Sequence, residues 1–172
     1  MRFSTSTLRN YVVSAALVVC LGVGTMTAEA AAPSKATKFV YNGLVYTTVA
    51  KKYECKVQKA GTKAADGTTV SVYEGDIVIP EKAIYAGEEF TVTDVPTVVF
   101  KGNTTVTSVT FPNTIVKLND GTFDGCTALT SVTLPTSVTK ISAKCFQKCT
   151  ALTSITIPGN ILDFGADAFN GA

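Results

Sequence analysis

Leu129-Thr-Ser-Val-Thr-Leu-Pro135 is the middle copy of a phrase written three times. Val106-Thr-Ser-Val-Thr-Phe-Pro112 stands 23 residues before it, and Leu152-Thr-Ser-Ile-Thr-Ile-Pro158 stands 23 residues after it. The same interval separates Phe100, Phe123, Phe146 and Phe169. Eight and five positions upstream of each Phe lie further apolar residues: Val92 and Val95, Ile115 and Leu118, Val138 and Ile141, Ile161 and Phe164. A period of about 20–29 residues marks a chain that stacks one supersecondary unit on the next, because no single unit can bury its own apolar face.

The physics of one turn follows from the middle copy. Alternation along a strand points Val132 and Leu134 to one face and Ser131 and Thr133 to the other. Val109, Phe111, Ile155 and Ile157 take the inward places in the neighbouring copies. Pro135 lacks a backbone donor and ends the strand. Val138 to Phe146 returns across the back, with Val138, Ile141 and Phe146 facing in. Each strand then bonds only to the turns above and below, in a parallel sheet with neighbours about 4.8 Å apart.

The stretch Cys126-Thr-Ala-Leu-Thr-Ser-Val-Thr-Leu-Pro-Thr-Ser-Val-Thr-Lys-Ile-Ser-Ala-Lys-Cys-Phe-Gln-Lys-Cys149 closely resembles the BspA-like leucine-rich repeats found in surface proteins of bacteria and some protozoa. The resemblance covers about Thr91 to Ala172. Phe39-Val-Tyr-Asn-Gly-Leu-Val-Tyr46 through Ile77-Val-Ile-Pro80 also resembles the lead-in common in such proteins. It implies a leucine-rich-repeat solenoid of 23-residue repeats, mostly parallel β with short irregular or 3-10 backs, behind a β-hairpin-rich N-terminal cap. Val95-Pro96-Thr97-Val98-Val99-Phe100 stands in place of the family's Ile-Gly-x-x-Ala-Phe, so the first back turn is expected to differ.

Outside the repeats, four segments are expected. Arg2 and Arg9 precede an apolar run from Val12 to Met26, and Ala28-Glu29-Ala30 is a small-x-small cleavage pattern, so residues 1–30 read as a secretory signal peptide cut after Ala30. Ala32 is a poorer cut because Pro33 follows it. The run falls short of the about 20 apolar residues of a membrane span, which leaves the membrane a role only through an uncleaved signal segment. Residues 31–37 read as a flexible leader, 38–90 as the β-rich cap and 91–172 as the repeats. In the cap, residues 39–49 alternate as a strand does, and Tyr53 to Lys59 is expected to face Thr69 to Tyr73 across a turn containing Asp66-Gly67. Pro80 lies 32 residues before Pro112, nine more than a repeat, and Ala86-Gly87-Glu88-Glu89 supplies the turn of an inserted hairpin.

Composition removes most chemistry. The 172 residues contain no His and no Trp, so Ser-His-Asp and Cys-His catalytic pairs and imidazole metal sites are excluded at once. With 15 basic and 13 acidic residues and no basic block, a nucleic-acid partner is not expected. Cys55, Cys126, Cys145 and Cys149 remain after cleavage. Cys126 and Cys149 share one repeat position with Asn103 and Ala172 and read as small buried side chains of the turn, with a disulfide between stacked rungs as the alternative. Asp120-Gly-Thr-Phe-Asp-Gly125 reads as turn chemistry rather than a calcium loop, because Thr122 and Ser131 stand where ligands belong. No cofactor and no metal is expected. Asn103-Thr-Thr105 is a glycosylation sequon.

The candidate binding residues are two hydroxyl columns, Ser108, Ser131, Ser154 and Thr110, Thr133, Thr156, together with Lys117 and Lys140, which stack one rung apart. An extended face of this kind suits a macromolecule. The expectation is a secreted or cell-surface protein, not an enzyme, mediating adhesion to a host or cell-surface protein or glycan. The alternative is a structural repeat module or fragment of a longer surface protein. Self-association through the open last rung is also expected, since a parallel edge invites pairing.

Overall fold

The computed structural model describes residues 32–60, 64–67 and 72–172. The expected signal peptide and its cleavage site lie outside these residues. The three copied phrases form β7 (Val106–Thr110), β9 (Ser131–Thr133) and β11 (Ser154–Thr156). They run parallel, in the order β11-β9-β7-β4, with β4 (Gly75–Val78) completing the sheet. Register follows the repeat: Val109 faces Val132 and Thr110 faces Thr133, while Ile155 faces Val132 and Thr156 faces Thr133. Ile77 and Val78 face Val109 and Thr110, so the Ile-Val-Ile-Pro segment joins the same sheet.

Three two-residue strands form the opposite wall: β8 (Lys117–Leu118), β10 (Lys140–Ile141) and β12 (Asp163–Phe164), also parallel and in register. The expected irregular or 3-10 backs are therefore short strands joined by turns, and no helical turn occurs among the described residues. The physical reason is satisfaction of the backbone from rung to rung. Ser142 N–H donates to the Leu118 carbonyl at 3.0 Å and Gly165 N–H to that of Ile141 at 2.7 Å, which a helical back, bonding within itself, does not allow.

Between the two walls lies the core. Val109, Phe111, Ile115, Leu118, Phe123 and Leu129 are buried, as are their counterparts Val132, Leu134, Val138, Ile141, Phe146 and Leu152 except for the last, which is partly covered. The phenylalanines form one stack: Phe100–Phe123, Phe123–Phe146 and Phe146–Phe169 have ring centroids 5.1, 5.3 and 5.2 Å apart and planes within 12°. Each fully buried ring contributes roughly 1.5–3 kcal/mol by removal from water. Tyr73 caps the stack at its first end, tilted 54° against Phe100 at 5.7 Å.

Every Phe turn is made by two left-handed residues, two before and two after the ring. The first column is Val98, Gly121, Lys144 and Asp167, with φ of 58, 57, 55 and 56°. The second is Gly102, Gly125, Lys148 and Gly171, at 69, 75, 58 and 76°. Val98 shares the φ of its counterparts, so at this residue the first back turn does not depart from the others as its altered motif suggested. A β-branched residue there is strained, since L side chains crowd the backbone at positive φ.

The N-terminal residues form a five-stranded mixed sheet in the order β1-β2-β3-β6-β5. Its strands are β1 (Lys38–Tyr41), β2 (Leu44–Thr48), β3 (Glu54–Val57), β5 (Lys82–Tyr85) and β6 (Glu88–Asp94). The stretch read as one alternating strand over 39–49 is a hairpin, because Asn42 and Gly43 both take positive φ and turn the chain. Ala86-Gly87 makes the same turn between β5 and β6. The expected pairing of Tyr53–Lys59 with Thr69–Tyr73 does not hold for β3, since β2 and β6 occupy both of its edges; residues 69–71 lie outside those described. Cys55 and Val57 are buried from this central place, a gain in core area that no local hairpin offers. Tyr73 instead pins the sheet from its side, its hydroxyl donating to the Gln58 carbonyl at 2.7 Å and accepting from Val45 N–H at 3.0 Å.

Candidate functional site

β7, β9 and β11 turn their inward residues to the core and leave two columns on the outer face. Ser108, Ser131 and Ser154 form one, Thr110, Thr133 and Thr156 the other, and the threonines are all exposed. β4 extends each column by one place: Asp76 heads the serines and Val78, 67% exposed, heads the threonines. Asp76 was not among the expected site residues. Its signal was the register of Ile77-Val78-Ile79-Pro80 with the repeat, which fixes what stands on either side of Ile77.

Asp76 is the one charge on this grid. Its Oδ1 accepts from Ser108 Oγ at 2.7 Å and Thr107 Oγ1 at 2.8 Å. These two bonds hold its carboxyl below the usual aspartate range, Ser108 contributing most. Thr130 and Thr153 differ from the outward threonines: their hydroxyls donate to the Thr107 and Thr130 carbonyls of the preceding rung, at 2.9 and 3.3 Å, and so belong to the scaffold. The grid is flat. Two concavities lie elsewhere, one beside Tyr73, Phe100 and Asn103 and one beside Lys38 and Ala64.

Lys117 and Lys140 stack as the repeat required, but on the back wall. The core separates them from the hydroxyl columns, so the eight expected residues fall into two groups that share no surface. Lys140 is also paired: its Nζ lies 2.6 Å from Asp163 Oδ2, and this hydrogen-bonded ion pair raises its pKa.

The four described cysteines are buried and free. Cys126 and Cys149 do more than fill the turn. Each thiol donates to a ring-position carbonyl of the preceding rung, Cys126 to Phe100 at 3.0 Å and Cys149 to Phe123 at 3.1 Å. Asn103 Nδ2 makes the equivalent bond to Tyr73 at 2.8 Å. Burial pushes the thiols up, to about 12 for Cys55 and Cys126 and about 11 for Cys149, and Cys145 rises by the same cause. A thiol so placed is a poor nucleophile, since the thiolate is the reactive species. The sequon amide of Asn103 is committed as well, its Oδ1 accepting from Thr105 and Val106 N–H at 2.9 and 2.7 Å. In the Asp120–Gly125 turn, Asp120 accepts from Ala143 N–H at 3.2 Å, Asp124 pairs with Lys101 at 2.9 Å and Phe123 joins the ring stack.

Residues 88–172 belong to the BspA-type leucine-rich repeats: they match the family described as BspA type Leucine rich repeat region (6 copies). Among solved structures, a leucine-rich repeat protein from Bacteroides ovatus is 24% identical with a TM-score of 0.66, over 77% of this chain and 33% of that one. One from Bacteroides capillosus is 20% identical with a TM-score of 0.58, over 74% and 87%. The T. pallidum leucine-rich repeat protein is 19% identical with a TM-score of 0.59, over 77% and 66%. These likenesses define the leucine-rich-repeat fold. This chain spans about a third of the Bacteroides ovatus protein's length. No curated protein matches the chain.

Proposed function

We propose that this is an exported, non-enzymatic protein of the cell surface, a short solenoid of 23-residue rungs that binds a protein or glycan partner on its outer sheet face. The observation that carries this reading is the grid itself: three rungs in strict register present six hydroxyls outward, headed by one ionised carboxylate. A regular face of hydroxyls with a single charge suits an extended macromolecule better than a small substrate, which needs a concave site. The lack of His and the burial of the described thiols support the non-catalytic reading. Export rests on the first thirty residues.

The test is binding of the purified protein to a panel of matrix and cell-surface proteins and glycans, beside a Thr133→Lys variant. The expected result is saturable binding that the variant loses while its fold is retained. Binding that is indifferent to Thr133→Lys would remove the grid from the interaction. A second reading is favoured by the coverage of the Bacteroides ovatus relative, of which this chain spans 33%: a repeat module whose partner is met by other parts of a longer surface protein. A folded domain that binds nothing on the panel supports it.

A further inference from the structure

β4 does not sit on β7 as β9 and β11 sit on the strands before them. The register slips by one residue after Gly75: Gly75 pairs with Val106, Asp76 pairs with Ser108, and Thr107 is left over. Gly75 takes φ 66° with nothing near its Cβ position, so the backbone conformation and not the space calls for glycine. A bulge is uncommon in a parallel pair, and its usual effect is to re-aim a side chain. Here it brings two hydroxyls, those of Thr107 and Ser108, onto Asp76 Oδ1. In the two following rungs the residues at the Thr107 position, Thr130 and Thr153, bond a backbone carbonyl instead. Both lone pairs of Oδ1 are thereby used. Oδ2 accepts no hydrogen bond and pairs with no cation among the described residues. Asp76 is exposed, and Val78, on the same outer face, is 67% exposed. Two residues of a parallel strand set them about 6.6 Å apart, close to the reach of a lysine stem.

On the reading that the outer face is the binding surface, we propose that Asp76 and Val78 receive a lysine side chain of a protein partner. The alkyl stem lies on Val78 and the ammonium meets Oδ2, so the apolar and the charged part of one side chain each find a match. An arginine fork wants both carboxylate oxygens at once, and one of them is taken by the two hydroxyls; a compact ammonium needs a single oxygen. A glycan fits less well. Neither outward column holds an aromatic ring for a sugar to stack on, and Val78 offers a sugar's hydroxyls no bond. Beyond the anchor, Ser131, Thr133, Ser154 and Thr156 present neutral hydroxyls to the rest of the partner. Because the one charge stands at one end of the grid, it also fixes the direction in which the partner lies along it.

The test is a titration of the isotope-labelled protein with hexalysine, hexaarginine, fully Nε-acetylated hexalysine and a glucosamine hexamer, read from backbone amide shifts. Hexalysine is expected to shift Asp76, Val78 and Ser108 saturably while the back wall around Lys117 stays unchanged. Hexaarginine binds no better, and the acetylated peptide does not bind. Asp76→Asn keeps an acceptor for both hydroxyls, and should weaken hexalysine about tenfold with the rest of the amide spectrum intact. Val78→Ser keeps the charge and should weaken it about fourfold, the worth of one buried methylene. The absence of any shift overturns the assignment. So do shifts indifferent to Asp76→Asn, shifts spread over every exposed carboxylate, or tighter binding of hexaarginine or of the glucosamine hexamer. On the panel of proteins and glycans, binding lost in Thr133→Lys but kept in Asp76→Asn overturns the lysine anchor alone. Binding indifferent to both variants removes the outer face with it.

Discussion

Truncation of Phe146 to alanine is the sharpest probe of what holds the rungs together. The ring is fully buried, 5.3 Å from Phe123 and 5.2 Å from Phe169, and nearly parallel to both. Loss of a buried Phe, counting transfer and the cavity left behind, costs about 3–5 kcal/mol. Loss of two stacked contacts places Phe146→Ala at the upper end of that range. Phe169→Ala removes the same atoms from a half-buried site with one stacked partner in the column, and should cost about 1–2 kcal/mol. The assay is urea denaturation followed by circular dichroism, comparing midpoints at constant slope. Equal losses for the two variants, or less than about 2 kcal/mol for Phe146→Ala, would refute the view that stacking between rungs supplies the core.

Lys148→Gly should stabilise the fold by about 1 kcal/mol, because the lysine holds a left-handed backbone that three glycines take elsewhere in its column; thermal unfolding beside the reverse change Gly125→Lys, expected to destabilise, checks the sign. The buried thiols give a pH dependence. Their pKa values are raised on folding, so the unfolded chain loses these protons first, and the stability they contribute is whole below about pH 9 and falls as pH rises towards 11–12. The slope is at most about 1.4 kcal/mol per pH unit for each thiol. Denaturation midpoints at pH 7, 9 and 10 measure it, and Cys126→Ala should flatten the alkaline limb while lowering stability at pH 7, since the Phe100 carbonyl loses the thiol and keeps only the Asn103 N–H as donor.

The repeat region was legible because its signal is redundant. Phe, Pro and two apolar columns repeat at one period, and any of them alone would have placed Val132 or Ile141 inward. The left-handed columns were hidden by their occupants: Val98 and Lys144 carry no turn signature, and their backbone is imposed by the stack above and below. Asn103 and Cys126 differ in chemistry yet make one bond, visible only when the carbonyl they meet is seen. In the N-terminal sheet the local hairpin signal around β3 lost to a parallel pairing with β6, more than thirty residues away, which no short-range pattern encodes. Asn42-Gly43 was the opposite case, a local signal present in the sequence and passed over within a longer alternation. Of the candidate site, the hydroxyl columns were fixed by period alone, whereas placing Lys117 and Lys140 apart from them required knowing that the back is a second wall of strands.

The backbone bonds between Phe turns all run one way, each turn donating to the one that follows. The column is therefore directional, and its unit is indivisible. An insertion of one residue would turn a strand's inward set to solvent, whereas gain or loss of a whole 23-residue cassette leaves every interior bond as it was. Each cassette added lengthens the outer face by about 4.8 Å and two hydroxyls. A gene built this way can tune the reach of its product by unequal recombination, without passing through a misfolded intermediate length.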